Sequence, residues 1–303
     1  MTLRVVCDRP DVRETVERWL ADSRLAPPRA LDLTLALVGE PWRGADPRPC
    51  LHQPELDLYY GPPEGALRLV WRGGLGHGRV DFRTGTATVE LVAGVADQPD
   101  RWLRPFLLLV VAAQLRAVGW SHIHAATAID PRRRGWLFAG DSHCGKSTTA
   151  ALLASRGWAV GTDDTAFIVD GAATVSVLGW REPIALREDG YRLLAVSGGR
   201  ALTRRGKTGF LPEELGGRWA ERIVPDIVAI AGIHDGPTSL EPLRPALAVA
   251  DLLSWSLLFV VDPDRAQRHL ELVTRLATQA RCYRLRLGRD IFDHPDLLSE
   301  LVP

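Results

Sequence analysis

The sequence predicts an α/β fold in which a phosphate-binding core follows a smaller α+β module, and three observations carry that expectation. From residue 119 the chain alternates strand, turn, strand, helix, strand (SHIHAATAID, PRRR, GWLFAG, GKSTTAALLASR, GWAVGTDD), the pattern of a nucleotide-binding α/β core. Within it GDSHCGKS, residues 140–147, satisfies G-x-x-x-x-G-K-[ST], with an apolar strand before it and a helix pattern after it. The first hundred residues read differently. They hold short strands (TLRVV, LDLTLALV, LDLYY, ALRLVW, RVDF, TATVELV) separated by Gly, Pro and Asp clusters, with one early helix at about 10–22.

These patterns divide the 303 residues into an N-terminal module, 1–98, with an expected role in substrate recognition, and a core domain, 99–303. In the module, EPWRGADPRPCLHQPE reads as a long surface loop. A helix at about 99–118 is apolar nearly all round, which places it in a buried seam. In the core, GWAVGTDD is expected to run parallel to the phosphate-loop strand. Asp170-Gly171 signals a two-residue hairpin turn, because Gly accepts the positive φ such a turn demands. PDIVAIAGI and CYRLRLG are further strands, and helices fall at about 247–258 and 263–279. Between the hairpin and PDIVAIAGI, RRGKTGFLPEELGGR reads as a mobile loop.

Composition narrows the partners. With 37 acids against 37 bases, the chain has no basic footprint for nucleic acid or an anionic membrane. The longest apolar run, FLLLVVAAQL, is short of the roughly 18 to 20 residues of a membrane span, and residues 1–20 lack the apolar centre of a secretory signal. A cytoplasmic protein is expected. A homo-oligomer is compatible with this composition. Cys7, Cys50, Cys144 and Cys282 show no metal-site or redox spacing and read as reduced thiols. Lysine occurs only at Lys146 and Lys207 in a chain that otherwise writes arginine. Lys146 is explained by the phosphate loop, where a compact ammonium is wanted. Lys207 is either a second functional cation or a solvated loop residue.

The motif has a direct chemical reading. Backbone N–H groups of the loop would wrap a β-phosphate, Lys146 would neutralise the β- and γ-phosphates, and Ser147 would ligate Mg²⁺. Asp163 and Asp164 close the following strand, and right-handed crossover brings that strand's end to the phosphate edge. Adjacent side chains on a strand diverge, so one acid can face Mg²⁺ while the other reaches an incoming hydroxyl. An ATPase needs only the first; a kinase also gains from a base for its acceptor. His122 and His124 share one face of the strand before the loop, and His124 could stand beside the γ-phosphate.

GDSxxGKS, a histidine in IHAA, and an aspartate pair after the loop helix together resemble the HPr serine kinase/phosphorylase family, related in fold to ATP-dependent phosphoenolpyruvate carboxykinases. The likeness covers about 119–180 well and 220–290 loosely. It implies a P-loop kinase core using ATP and Mg²⁺. Gly140, Asp141, Ser142, His143, Cys144, Gly145, Lys146, Ser147 and Thr148 would hold the nucleotide. Asp163 would be the base, His124 a neighbour of the phosphates, and Asp164 a metal-side acid with Ser147. The family's metal-ligating glutamate after the hairpin has Glu182 as its candidate here, and Lys207 is a candidate for stabilising developing phosphoryl charge. Two departures stand out: His143 replaces a loop glycine, and Thr148 replaces an acid. The chain looks more like divergent members that phosphorylate a serine of a lasso-type peptide precursor. The expected activity is therefore transfer to a serine-type hydroxyl of a peptide or small protein. A kinase of free serine and a non-catalytic nucleotide-sensing module remain the alternatives.

Overall fold

In the computed structural model, residues 3–302 are described apart from 29, 45–47, 62–65, 172, 195, 197, 203–205, 257–262 and 295. The chain forms two units. The first runs to Trp120 and includes a short segment ending at Ala266; the second starts at Ser121 and resumes at Gln267.

The first unit contains β1 (Leu3–Cys7), α1 (Pro10–Asp22), β2 (Leu31–Val38), β3 (Leu51–Gln53), β4 (Leu56–Gly61), β5 (Ala66–Trp71), β6 (Gly76–Asp81) and β7 (Thr86–Val92). They form a seven-stranded sheet in the order β1-β2-β7-β6-β5-β4-β3. β1, β2 and β7 are parallel and the rest is an antiparallel meander. All six predicted strands are present, and LHQ from the expected surface loop adds β3. α2 (Ala93–Ala96), α3 (Pro99–Trp102) and α4 (Leu108–Arg116) follow. Residues 103–107 between α3 and α4 widen into a π-helical turn at Pro105, which has no N–H to offer the regular ladder.

This helical stretch packs on the first sheet, so the division falls at Trp120 and not at residue 98. A Cβ on Gly76 would lie 2.8 Å from the Phe106 ring, and one on Gly78 3.0 Å from Val110, so the two glycines admit the helix. Phe106 stacks on Trp71 with ring centroids 5.8 Å apart. The buried Gln114 side chain donates to the Asp32 and Gly85 carbonyls at 2.8 and 3.1 Å. Those bonds satisfy a polar group that burial would otherwise penalise.

The second unit opens with β8 (Ser121–Ile129), β9 (Gly135–Ala139), α5 (Lys146–Ser155), β10 (Ala159–Thr162), β11 (Thr165–Asp170) and β12 (Val175–Gly179). β13 (Ile184–Leu186), α6 (Glu188–Leu193), β14 (Arg200–Leu202), β15 (Lys207–Phe210) and β16 (Arg218–Trp219) come next. The remaining elements are β17 (Pro225–Ile233), β18 (Ser239–Pro242), α7 (Pro245–Ser254), α8 (Pro263–Gln279), β19 (Arg281–Leu287), α9 (Asp290–Asp293) and α10 (Leu297–Leu301). The main sheet is mixed, ordered β12-β11-β8-β9-β17-β19-β18, with β9, β17 and β19 parallel. Every residue of β9 is buried, as befits a strand covered on both faces. One face packs on α5 through Ala126, Phe138 and Val160; the other packs on α7 and α8 through Ala125, Leu137 and Ile230.

β10 runs in the same direction as β9, as expected, with β8 lying between the two and antiparallel to both. Two further expectations change here. The segment expected to be a mobile loop contributes β15 and a 3₁₀ turn at Pro212–Leu215, because β15 completes a three-stranded sheet ordered β13-β15-β14; its residues 204 and 205 lie outside the described residues. The β11–β12 hairpin is present, yet its closing pair is Asp170↔Val175, so Asp170-Gly171 opens a longer connection. All four cysteines are free thiols, as expected.

Candidate functional site

The loop between β9 and α5 closes tightly on itself. A Cβ on Gly140 would meet the Ala231 carbonyl and the Cys144 Sγ, each at 2.6 Å, so only glycine fits there. Gly145, at φ 95°, turns the chain into α5, and no side chain caps the helix start. The first-turn N–H groups have no acceptor within their own helix. His143 has φ 69°, a left-handed conformation that costs a non-glycine residue about 1–3 kcal/mol, although His tolerates it better than most. Lys146 is buried. Its Nζ donates to the carbonyls of Gly140 at 2.8 Å and Asp141 at 2.9 Å, and lies 3.6 Å from the Cys144 Sγ. The Asp141 carboxylate accepts the Ser142 N–H at 2.7 Å, which ties down the outer loop. Ser147 and Thr148 are half-buried on the first helical turn.

The aspartates reach this edge by way of β8. Ala125 pairs with Ala139, the last residue of β9, and its N–H donates to the Asp164 carbonyl at 3.1 Å. The acids thus sit level with the start of the phosphate loop. The chain bends at 163–164 between β10 and β11, where the Thr162 Oγ1 accepts the N–H groups of Asp164 and Thr165 at 3.3 Å each. Asp163 is 3% exposed, and its Oδ2 accepts the Ala185 N–H of β13 at 3.2 Å. Asp164 is about one-third exposed; its Oδ1 lies 3.2 Å from the His124 Nδ1 and its Oδ2 accepts the Thr165 hydroxyl at 3.3 Å.

His124 Nδ1 also lies 3.1 Å from the Asp164 carbonyl oxygen. A carbonyl can only accept, so Nδ1 carries a proton in this arrangement. His122 packs edge-on against Phe167, with centroids 5.8 Å apart, the core role common for a strand histidine. Glu182 is half-buried on a segment tied at both ends to the bend: the Trp180 N–H donates to the Thr165 carbonyl at 2.8 Å, and the Ala185 N–H to Asp163. Lys207 opens β15, across from Leu202, on the small sheet.

Arg187 is a cation at this edge that the motif reading missed. It follows β13 directly, and its Nη2 lies 3.5 Å from the His143 Nε2. Its signal in the sequence was weak, one arginine among 35. Only the folding of β13 against α5 brings it to the loop.

Among the described residues no three His, Cys, Asp or Glu side chains converge as a metal site. That arrangement still suits Mg²⁺, which commonly takes one or two carboxylates with substrate phosphates and water. The uncapped helix start, the Gly140 cradle and the buried ammonium fit a nucleotide phosphate.

No family model matches the chain, and no curated protein matches it. Among solved structures it is similar to the HPr(Ser) kinase/phosphatase from Coxiella burnetii, with 13% identity and a TM-score of 0.30 over 60% of this chain and 93% of that chain. At that strength the chemistry of the site rests on its own geometry.

Proposed function

We propose that the chain is an ATP- and Mg²⁺-dependent phosphotransferase that moves the γ-phosphoryl group to a serine-type hydroxyl of a peptide or small protein. The observation that carries this reading is the two-acid bend set level with the phosphate loop by Ala125, which pairs with Ala139 and bonds Asp164. In the reaction the acceptor oxygen forms a bond to the γ-phosphorus while the bond to the β,γ-bridging oxygen breaks, and ADP leaves. Asp163 takes the acceptor's proton. Ser147 and Asp164 would hold Mg²⁺, which neutralises phosphate oxygens when bound. His124, bonded to Asp164, orients that carboxylate as an outer partner. Glu182 is the remaining acid candidate for the same cation, and the first unit is the place for a peptide substrate.

The test is Asp163→Asn, which keeps the shape and removes the proton acceptor. Calorimetry should show ATP·Mg²⁺ affinity within a few-fold of wild type, while transfer to a panel of serine peptides and free serine falls ~10² to 10⁴-fold. Wild-type transfer by both Asp163→Asn and Asp164→Asn would overturn the assignment. A wild-type protein that binds ATP and phosphorylates no alcohol offered is a nucleotide sensor.

A further inference from the structure

Arg187 is held at the lip of the phosphate loop by the structure on both sides of it. Before it, Ile184 and Leu186 are buried in the core cluster of α5, and the Ala185 N–H is bound to Asp163. After it, α6 lies on the first turn of α5: Gly190 is buried, and a Cβ there would come within 3.3 Å of the Thr148 Oγ1. The Arg187 carbonyl accepts the Tyr191 N–H at 3.1 Å. Its backbone is therefore anchored to the acid bend and to the nucleotide-side helix at once.

Among the described residues no carboxylate pairs with Arg187, although two acids follow it directly. Glu188 is engaged by Arg192, and Asp189 accepts the Gly190 N–H at 2.9 Å. The contact of Arg187 is with His143, the loop residue that occupies a left-handed conformation where glycine would be unstrained. The register adds a second cation. β13 and β15 pair Leu186 with Thr208, so the next position of each strand sets Arg187 opposite Lys207. Arg187 and Gly206, the residue before Lys207, line one open cleft together with Glu188, Asp189 and Arg192.

The geometry points to Arg187 as the residue that contacts the γ-phosphoryl oxygens, with His143 as its positioning residue. This rests on the phosphotransfer reading. A planar guanidinium suits such a role because it stays charged and offers paired N–H groups to phosphate oxygens. A loose phosphoryl-transfer transition state spreads charge over three equatorial oxygens, where an arginine supplied from the same chain is most effective.

The experiment compares ADP·Mg²⁺ with the non-hydrolysable ATP analogue adenylyl imidodiphosphate on the full chain, by calorimetry. Arg187→Ala should weaken the analogue by roughly tenfold or more and leave ADP within about twofold, since only the analogue carries a γ-group. Arg187→Lys should recover part of the difference. Arg218→Ala, which removes an exposed guanidinium beyond the opposite end of α5, should change neither affinity. His143→Gly should lose part of the ATP-over-ADP preference without lowering the melting temperature, which a purely structural histidine would not do. Equal affinities in Arg187→Ala and wild type, or an equal loss for both nucleotides, would overturn the inference while leaving the phosphotransfer reading intact. A wild-type chain that binds neither nucleotide would overturn that reading, and this inference with it.

Discussion

The two ends of β9 each bury charge, and they treat it in opposite ways. At the start of the strand, Asp130 and Arg134 close the β8–β9 hairpin as a saturated set. Arg134 Nε donates to Asp130 Oδ2 at 2.7 Å, its Nη1 and Nη2 donate to the Val302 and Ser299 carbonyls at 2.8 and 2.9 Å, and the Trp136 Nε1 adds a bond at 3.2 Å. Opposite charge meets opposite charge. At the finish of the strand, the buried Lys146 ammonium is held by two neutral carbonyls, and among the described residues no carboxylate pairs with it. Burying a charge without a counter-charge is costly, so such a group is where an incoming anion gains most. The first end is built to hold the fold together, and the second keeps a buried cation free of a counter-charge among the described residues, as the proposed phosphate site requires.

The largest expected effect breaks the saturated end. Arg134→Ala strands the buried Asp130 carboxylate, which should cost about 3 to 5 kcal/mol. The melting temperature should fall by roughly 6 to 20 °C, while nucleotide affinity of the folded fraction stays at the wild-type value. Scanning calorimetry and nucleotide titration together read both arms. A change in affinity without loss of stability would erase the distinction between the two ends.

Lys146→Ala should do the reverse. Phosphoryl transfer should fall by ~10² to 10³-fold, the range seen when one positioned charge-stabilising donor is removed, and the melting temperature should hold, because the loss of two bonds to loop carbonyls is offset by removal of a buried charge that has no counter-charge among the described residues. If Lys146→Ala melts as early as Arg134→Ala, the ammonium is a structural strut and the contrast fails. Lys207→Ala tests a finer point. If the lysine serves the transition state from the small sheet, kcat should drop roughly tenfold or less with the KM for ATP unchanged. An unaltered kcat would return Lys207 to the solvated surface and leave Arg187 as the cation of that side.

What the sequence determined by itself was local. The strand, loop and helix around GDSHCGKS are specified by near-neighbour rules: a buried apolar run, glycines where a Cβ would collide or φ is positive, and a helix start that needs no side-chain cap. The alternation in SHIHAATA put His122 and His124 on one face, and the arrival of both acids at the sheet edge where the loop begins was legible from the strand that carries them. Tertiary structure decided everything that depends on which strand lies beside which. β10 is brought to the phosphate edge through β8 rather than beside β9, because pairing partners are chosen by burial of whole faces and no single segment encodes them. The helix before Trp120 belongs to the first sheet because Gly76 and Gly78 make room for it, a fit that its uniformly apolar pattern could not announce. Lys207 sits on a strand, and Arg187 reaches His143, only because β13 and β15 pair while β13 packs on α5. The chemistry of each residue is written locally, but the meeting of charges from distant segments is a product of packing, which is why Arg187 became visible only in the fold.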